Sequence, residues 1–490
     1  MRLPFYKTII LLFISCSTVV GQEVLNGFIV NETQSLTFSQ IVDTLNVRYH
    51  LQFSNDASLV ADTLKKYDVA ASLTSYQWLN QSFATDSSEW ILVENQIIIR
   101  RKRMAVGQKP RLIFRGVILS ESKNEPIPFA TVCVMGTNMG TITNSNGEFE
   151  FRLTADSSAC TLEASSLGFM PTRLPMKRSN ELLTIKLQER VTELPEVLVT
   201  FTDPIKILAK VVANRDLNYA SSPTLLTGFF RESILKKDRY VDVTEAVVAV
   251  CKPSYVNEFA SEKVLVEKVR RYKDSLSLGN ISLRLEGGPF YFSKLDVARY
   301  FDFLPRPNTP SMYKYHFNGY DSEYGKDVYV IDFEPVIDDG ELLYTGTFYI
   351  DRESYAITCV NFQLSANSIK KSKSYFVQSE KGGTKTVPLS AKYQVHYRPS
   401  SGRWMLSYVK GELALRIQNK SHKLHSTNFT AITELAITES ATGKYQILNN
   451  GYVKSHDILS EKVSLNSPLY WQDFNVIPPL QEVRLLFESE

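Results

Sequence analysis

Residues 346–350 read GTFYI, residues 351–354 read DRES, and the run 355–362 is again rich in apolar and β-branched residues. Two β-rich runs joined by a short polar link are typical of a β-hairpin. The upstream run DVYVIDF at 327–333 has the same character, and in 409–417 apolar positions alternate with mostly charged ones. Because side chains along a strand point alternately to opposite faces, these patterns predict an antiparallel sheet with one buried face and one wet face.

The predicted sheet belongs to an antiparallel β-rich domain over residues 203–490 that begins with a helix. The helix is expected at 204–215, where apolar residues recur at helical spacing after an Asp-Pro start signal. Charged side chains opposite the apolar face of 409–417 favour a curved sheet over a membrane barrel. The paired runs 327–333 and 346–351 resemble the lipoprotein-carrier half-barrel, and this resemblance implies a concave face that holds acyl chains.

Short strands and strong turn signals alternate over residues 112–187, a pattern that predicts a small β-sandwich. Five motifs follow one another along the segment: Gly116, Pro126–Ala130, Gly136-Thr137 with Gly140-Thr141, Asn146–Phe149 and Ser166–Phe169. Together they resemble the carboxypeptidase regulatory-like domain. The resemblance implies a module that accompanies peptidases and many envelope receptors, including TonB-linked ones, and that has no catalytic residues of its own.

Helix-like and strand-like segments alternate over residues 22–104, which predicts a small α+β module. Its order, with strands near 49–53 and 67–69 and a closing hairpin at 90–99, resembles the secretin and TonB N-terminal domain. The resemblance implies protein docking of the kind found in outer-membrane receptors and secretion channels. The basic run Arg100–Arg103 is interpreted as a solvated linker rather than a partner-binding patch.

Residues 1–21 have the order of a secretory signal peptide: a basic start, the apolar run 9–14, then small and weakly polar residues. The apolar run is too short to span a bilayer. We expect cleavage after Gly21, which leaves an exported protein in the periplasm or at the periplasmic face of the outer membrane. A cut before Cys16 would instead leave a lipid-anchored protein, but Phe13 fits the lipoprotein box poorly.

Bulk composition excludes some classes of function. The chain has 490 residues, a net charge of +3 and 43% hydrophobic residues, so no overall field favours nucleic acid. Four cysteines follow the predicted cleavage site, and an exported compartment permits disulfides. Cys133 and Cys160 lie in one predicted domain, and the sequence leaves open whether they pair or stay free thiols.

No familiar catalytic motif occurs, since the sequence has no HExxH, GxSxG, P-loop or strand–helix GxGxxG pattern. His422 and His425 form an HxxH, but on a strand this spacing places them on opposite faces, which suits a metal poorly. The acidic run 338–341 is interpreted as a turn rather than a calcium site, and the four tyrosines between residues 313 and 324 as cross-strand packing rather than a sugar platform. The sequence therefore assigns no catalytic, cofactor-binding or metal-binding residue, and it leaves the ligand-binding residues unknown.

These features predict a non-enzymatic binding and interaction protein of the cell envelope. Its N-terminal modules would dock envelope proteins, and its C-terminal sheet would bind a lipid, another hydrophobic or extended ligand, or a protein. One alternative is an accessory or regulator of a TonB-linked outer-membrane receptor, in which the 22–104 module makes the decisive contact. The other is a hydrolase whose site the sequence does not reveal. Neither a cofactor nor a nucleic acid partner is expected.

Overall fold

The computed structural model describes residues 29–55, 66–83, 88–93, 96–101, 111–154, 160–176, 182–190, 202–257, 259–274, 288–300, 303–305, 310–338, 342–376, 384–419, 426–442, 452–453, 459, 471 and 474–488. The chain divides into two compact units, Met1–Lys109 and Pro110–Glu490. The predicted signal peptide and both of its candidate cleavage sites lie outside the described residues.

The first unit is a small α+β module. Its elements are β1 (Gln34–Thr37), α1 (Phe38–Tyr49), β2 (Gln52–Asn55), β3 (Lys66–Val69), α2 (Ser75–Phe83), β4 (Ser88–Val93) and β5 (Gln96–Arg101). β1 pairs with β3, while β2, β5 and β4 form a second sheet in which β2 and β5 run parallel. Helix α1 begins at a capping box, because Thr37 and Gln40 each accept the other's backbone N–H through the side chain. Ile41 and Leu45 of this helix share one core with Trp78 of α2.

The second unit begins with a β-sandwich. Its strands are β6 (Arg111–Ser120), β7 (Thr131–Val134), β8 (Gly140–Ile142), β9 (Glu148–Thr154), β10 (Thr161–Ser165), β11 (Thr172–Pro175) and β12 (Leu183–Leu187). One sheet has the order β11-β10-β7-β8 and the other β12-β6-β9, with Phe114 and Leu162 in their shared core. The turn before β9 requires Gly147, whose φ is +71°, and the Asn144 side chain accepts the Glu148 N–H at 3.0 Å.

Ten further strands of the described chain form one antiparallel sheet. They are β13 (Thr224–Lys236), β14 (Arg239–Lys252), β15 (Lys263–Lys273), β16 (Tyr313–Glu323), β17 (Lys326–Pro335), β18 (Tyr344–Asp351), β19 (Ile357–Leu364), β20 (Thr384–Ser400), β21 (Arg403–Asn419) and β22 (Ser426–Thr442). Their spatial order is β15-β14-β13-β22-β21-β20-β19-β18-β17-β16. The hairpin predicted from residues 346–362 is β18–β19, and β17 pairs with β18 on its other side. The prediction of a mainly β, multidomain chain with a large antiparallel sheet is confirmed, whereas the half-barrel likeness stays a prediction.

Helices cover one face of this sheet, which we call the helix-covered face. The described helices on this face are α3 (Pro204–Ala213), α4 (Arg215–Asn218), α5 (Gly288–Lys294), α6 (Val297–Tyr300), α7 (Ser368–Lys371) and α8 (Lys373–Phe376). Near the C-terminus, α9 (Gln481–Glu488) lies on the opposite face, where Arg270 packs over the rings of Phe487 and Trp471. Helix α3 begins with Asp203 accepting the Ile205 N–H at 3.0 Å, and its Leu208 and Val211 are buried in the same hydrophobic core as Phe230 of the sheet. Within the described chain, no helix is both long and apolar enough to cross a membrane.

The sandwich and the C-terminal segment cover the opposite face around β13, β14, β21 and β22. Phe229 and Tyr408 pack there with Trp471 and with Ile142 of the sandwich. As a result, β14 is buried at every position in 241–250. The expectation of one wet face is therefore wrong for this part of β14, because layers from distant parts of the chain exclude water from a face that an isolated sheet would expose. In β21 the predicted alternation over 409–417 is seen, since the odd-numbered positions are buried and the even-numbered ones are half-buried or exposed.

Direct contacts join the sandwich to the sheet within this unit. The Gly168 N–H donates to the Ser322 carbonyl at 2.8 Å, and the Phe129 ring stacks on Tyr408 with ring centroids 5.6 Å apart. The regions predicted at 112–187 and 203–490 thus pack as one body.

Candidate binding cavity

A cavity of about 540 Å³ lies on the helix-covered face. It is bounded by residues of segment 294–304 and segment 310–313 on one side, and by Leu342, Tyr344 and Phe362 on the other. Most of its lining is apolar or aromatic: Leu295, Val297, Phe303, Leu304, Pro310, Met312, Tyr313, Leu342, Tyr344 and Phe362. The volume falls in the range of roughly 300–1,000 Å³ that is usual for small-molecule sites.

Phe303 anchors the aromatic wall of the cavity. Its ring centroid lies 5.3 Å from that of Phe333, 5.1 Å from Tyr344 and 5.0 Å from Phe362. Gly346 leaves room for this packing, since a Cβ there would lie 2.8 Å from the Phe333 ring. Aromatic pairs at such separations contribute about 0.5–1.5 kcal/mol each beyond area burial, so this wall is preformed.

A buried polar network centred on Asp296 lies behind the cavity. The Asp296 carboxylate accepts the hydroxyls of Tyr255 at 2.6 Å and Tyr397 at 2.8 Å, and it lies 2.8 Å from Lys252 Nζ. Burial, followed by the charge of Asp296, raises the pKa of both tyrosines well above the usual value. Both hydroxyls therefore keep their protons and act as donors to the carboxylate.

Glu262 and Arg299 complete the network. Lys252 Nζ lies 3.3 Å and Arg299 Nε 3.5 Å from the same Glu262 oxygen. Arg299 is 1% exposed and also donates to the Ala260 carbonyl at 2.6 Å. The cations Lys252 and Arg299 match the anions Glu262 and Asp296, so the network is electrically neutral, as buried charges require.

Lys294, at the end of α5, lines the cavity apart from this network. Its Nζ lies 4.7 Å from the centroid of the Phe290 ring. Within the described parts of the chain, no carboxylate or other polar group pairs with its ammonium group. Among the described residues, the ammonium group of Lys294 is therefore the one charge of the cavity wall that has no charged partner.

A second buried cluster lies on the face opposite the helices. His396 places Nε2 3.8 Å from the Cys359 sulfur and Nδ1 4.0 Å from a Glu323 oxygen. The order thiol, imidazole, carboxyl is that of a nucleophile, a base and an orienting acid. Burial, however, raises the pKa of Cys359 well above its usual value, lowers that of His396 to about 4 and raises that of Glu323 to about 8. At neutral pH the three groups are mostly uncharged, so the thiol is a poor nucleophile.

The four tyrosines between residues 313 and 324 do not form one platform. They lie in different settings: Tyr313 against Phe333, Tyr315 donating to the Phe303 carbonyl, Tyr320 beside Tyr329, and Tyr324 donating to the Tyr397 carbonyl. The structure therefore agrees with the packing interpretation rather than a shared sugar site.

Most of the acidic run and both histidines of the HxxH motif fall outside the part of the chain that the structure describes. Asp338 accepts the Ser365 hydroxyl at 2.8 Å and the Asn367 N–H at 3.1 Å, whereas residues 339–341 lie outside the described residues. His422 and His425 lie outside the described residues. Among the described residues, no group of three or more His, Cys, Asp or Glu is arranged to hold a metal ion.

Cys133, Cys160, Cys251 and Cys359 all carry free thiols. Cys133 donates to the Glu163 carbonyl at 3.7 Å, and burial raises its pKa to about 11. The alternative of a Cys133–Cys160 disulfide is therefore not realised in this structure.

Sequence reasoning missed the residues of the cavity. Asp296 and Arg299 are three residues apart, but no helical or strand period relates this pair to Lys252 and Glu262, so no spacing rule brings the four together. The sequence does contain one signal, the aromatic-rich stretch 290–303. It has more aromatic residues than two short helices require to cover one buried face.

The sandwich segment has a family match. Residues 114–199 match the CarboxypepD_reg-like domain. This confirms the resemblance predicted from the motifs of the sandwich. The match spans well under half of the chain, so it characterises this domain and not the whole protein. No curated protein matches the chain with significance.

Two solved structures are similar to part of the chain. One is a domain assigned to an outer membrane lipoprotein-sorting protein of Vibrio parahaemolyticus, with 11% identity, a TM-score of 0.21 and coverage of 49% of this chain and 94% of that chain. The other is a DUF1329 family protein from Desulfovibrio piger, with 12% identity, a TM-score of 0.22 and the same coverage of 49% and 94%. The cavity and its lining residues, rather than these neighbours, support the function proposed below.

Proposed function

We propose that this protein is a non-enzymatic binding protein of the cell envelope, and that the cavity on the helix-covered face holds a hydrophobic ligand. The cavity itself carries the proposal, because its volume of about 540 Å³ suits a small molecule and most of its lining is apolar. Burial of apolar ligand surface contributes roughly 25 cal/mol for each Å², so an alkyl chain needs no polar partner there.

A fluorescent probe tests this proposal on the full chain. N-phenyl-1-naphthylamine brightens in apolar surroundings, and we expect it to bind the wild type. Leu342→Trp fills the cavity, so probe affinity should fall about tenfold or more. Leu217→Trp is the matched control, since Leu217 is 73% exposed on α4, and binding should stay unchanged. Equal binding by wild type and Leu342→Trp would contradict the proposal.

The envelope location is supported by the signal-peptide order of residues 1–21. Mass spectrometry of the mature N-terminus tests it directly. A chain that starts at Gln22 supports cleavage after Gly21, whereas a lipid-modified Cys16 supports the anchored form. An unprocessed chain in the cytoplasmic fraction would overturn the location.

The N-terminal unit supplies the proposed docking function. Because Met1–Lys109 is compact by itself, residues 22–109 can be removed while the second unit is kept. If the protein is an accessory of a TonB-linked outer-membrane receptor, cross-linking in cells should capture that receptor with the complete chain. The chain that lacks residues 22–109 should not be cross-linked to it. An identical cross-linked receptor after the deletion would exclude the N-terminal unit as the decisive contact.

A further inference from the structure

We propose that the cavity takes amphiphiles with an anionic head group, a carboxylate or a phosphate, and that Lys294 contacts that head group. The inference rests on the proposed function, since it assumes that the cavity holds the apolar tail. It goes further by assigning the charge of the ligand from the charges of the wall.

Among the described charged groups of the wall, one has no charged partner. Asp296 lines the cavity, but it is fully occupied by Lys252 and by the hydroxyls of Tyr255 and Tyr397. The network of Asp296 with Lys252, Glu262 and Arg299 is neutral as a whole, so it attracts neither a cation nor an anion strongly.

The neutral polar groups of the wall are also engaged. Tyr300 donates its hydroxyl to Glu262, and Ser311 donates to the Tyr313 carbonyl at 2.8 Å. Of the two charged residues among the described lining, Asp296 is paired, whereas no described polar group pairs with Lys294.

Lys294 is the lining residue at which we place the head group. Its side chain is half-buried, and its Nζ lies 4.7 Å from the centroid of the Phe290 ring. A cation–π contact of this kind contributes modestly and uses none of the three N–H donors of the ammonium group in a hydrogen bond. A hydrogen bond between ionised partners is roughly twice as strong as a neutral one, which favours an anionic head over an alcohol.

Four amphiphiles of one chain length separate tail binding from head-group binding and one anion from the other. The affinity of each compound for the full chain is measured by its displacement of the fluorescent probe. The first comparison uses dodecanoate, dodecanol and dodecyltrimethylammonium. The second compares dodecyl phosphate with dodecanoate to distinguish the two anions. We expect wild type to bind the two anions about tenfold more tightly than dodecanol.

Substitutions at Lys294 then assign the preference. Lys294→Glu should lower the affinity for dodecanoate about tenfold or more and raise the affinity for dodecyltrimethylammonium. The affinity for dodecanol should stay unchanged. Lys294→Met keeps most of the volume of the aliphatic side chain but removes its charge. The affinity for dodecanoate should therefore fall to that for dodecanol. Lys206→Glu, at an exposed site on α3, makes the same charge change and should alter none of the affinities.

The two proposals fail in different ways. Equal affinities for dodecanoate and dodecanol in wild type, or an anion preference that survives both Lys294 variants, would overturn the head-group inference while the hydrophobic cavity stands. Failure of every amphiphile and of the probe to bind would overturn the proposed function and the inference together.

Discussion

The guanidinium group of Arg398, on β20, donates a hydrogen bond of 2.8 Å to the carbonyl of Asn138 in the sandwich. Arg398 is 2% exposed, and in the described structure no carboxylate pairs with it. Burial lowers its pKa below the usual range. Gly140 lies against the group, since a Cβ there would be 3.0 Å from its central carbon. The sandwich is thus held to the sheet by a buried contact that water cannot replace.

Arg398→Ala should lower the free energy of unfolding by about 2–4 kcal/mol, because it opens a cavity and leaves the Asn138 carbonyl unbonded. Urea denaturation followed by tryptophan fluorescence measures the change. The control is Arg416→Ala, at an exposed position of β21. It should lower the free energy of unfolding by less than about 0.5 kcal/mol. Similar costs for the two variants would show that the sandwich contact is not stabilising.

Asp296→Asn should destabilise the second unit by about 3–5 kcal/mol, because it leaves the buried Lys252 ammonium without its closest anion. Calorimetry or urea denaturation gives the value. The matched control is Asp216→Asn, since Asp216 is 59% exposed and pairs with Arg215 at 3.7 Å. That pair should contribute under about 1 kcal/mol. An Asp296 variant as mild as the control would mean that water enters the network.

Glu323 should make the protein less stable as pH rises. Burial raises its pKa from 4.5 to about 8, so in that window the unfolded chain releases a proton that the folded chain keeps. The side chain of the Glu323→Gln variant cannot titrate. Across this window the free energy of unfolding of the variant should therefore rise relative to that of wild type by on the order of 1 kcal/mol per pH unit.

The clearest range for this measurement lies above about pH 6.5. Burial lowers the pKa of His396 from 6.5 to about 4, and in that lower window stability rises with pH, which opposes the Glu323 effect. Urea denaturation between about pH 6.5 and about pH 8 should therefore show the gain of Glu323→Gln, with Glu121→Gln at an exposed site showing none. If the difference in unfolding free energy between Glu323→Gln and wild type did not change with pH, the prediction that Glu323 is protonated in the folded protein would be wrong.

Cys359 should resist alkylation in the native protein. It is fully buried and burial raises its pKa, so little thiolate forms at neutral pH. Iodoacetamide followed by peptide mass spectrometry should modify half-buried Cys160 first, and Cys359 only after urea is added. Rapid native modification of Cys359 would instead favour the hydrolase alternative, with His396 as its base.

Local pattern was enough to predict much of the fold. The hairpin β18–β19 follows from a polar turn between two β-rich runs, and the sandwich follows from turn motifs such as Asn146–Phe149. Helix α3 follows from its Asp203 cap and apolar spacing. Each depends on residues close together in the chain, which is why the sequence determined it.

The cavity and the layers around it depended on tertiary structure. Lys252, Asp296 and Tyr397 meet because the sheet and its covering helices bring distant segments together, and no periodicity encodes that meeting. β14 is buried on both faces because the sandwich side and the helices each exclude water from one of them. The sequence by itself determined which segments form strands, helices and turns. Long-range packing alone decided which charges are buried in pairs and that Lys294 lines a largely apolar cavity.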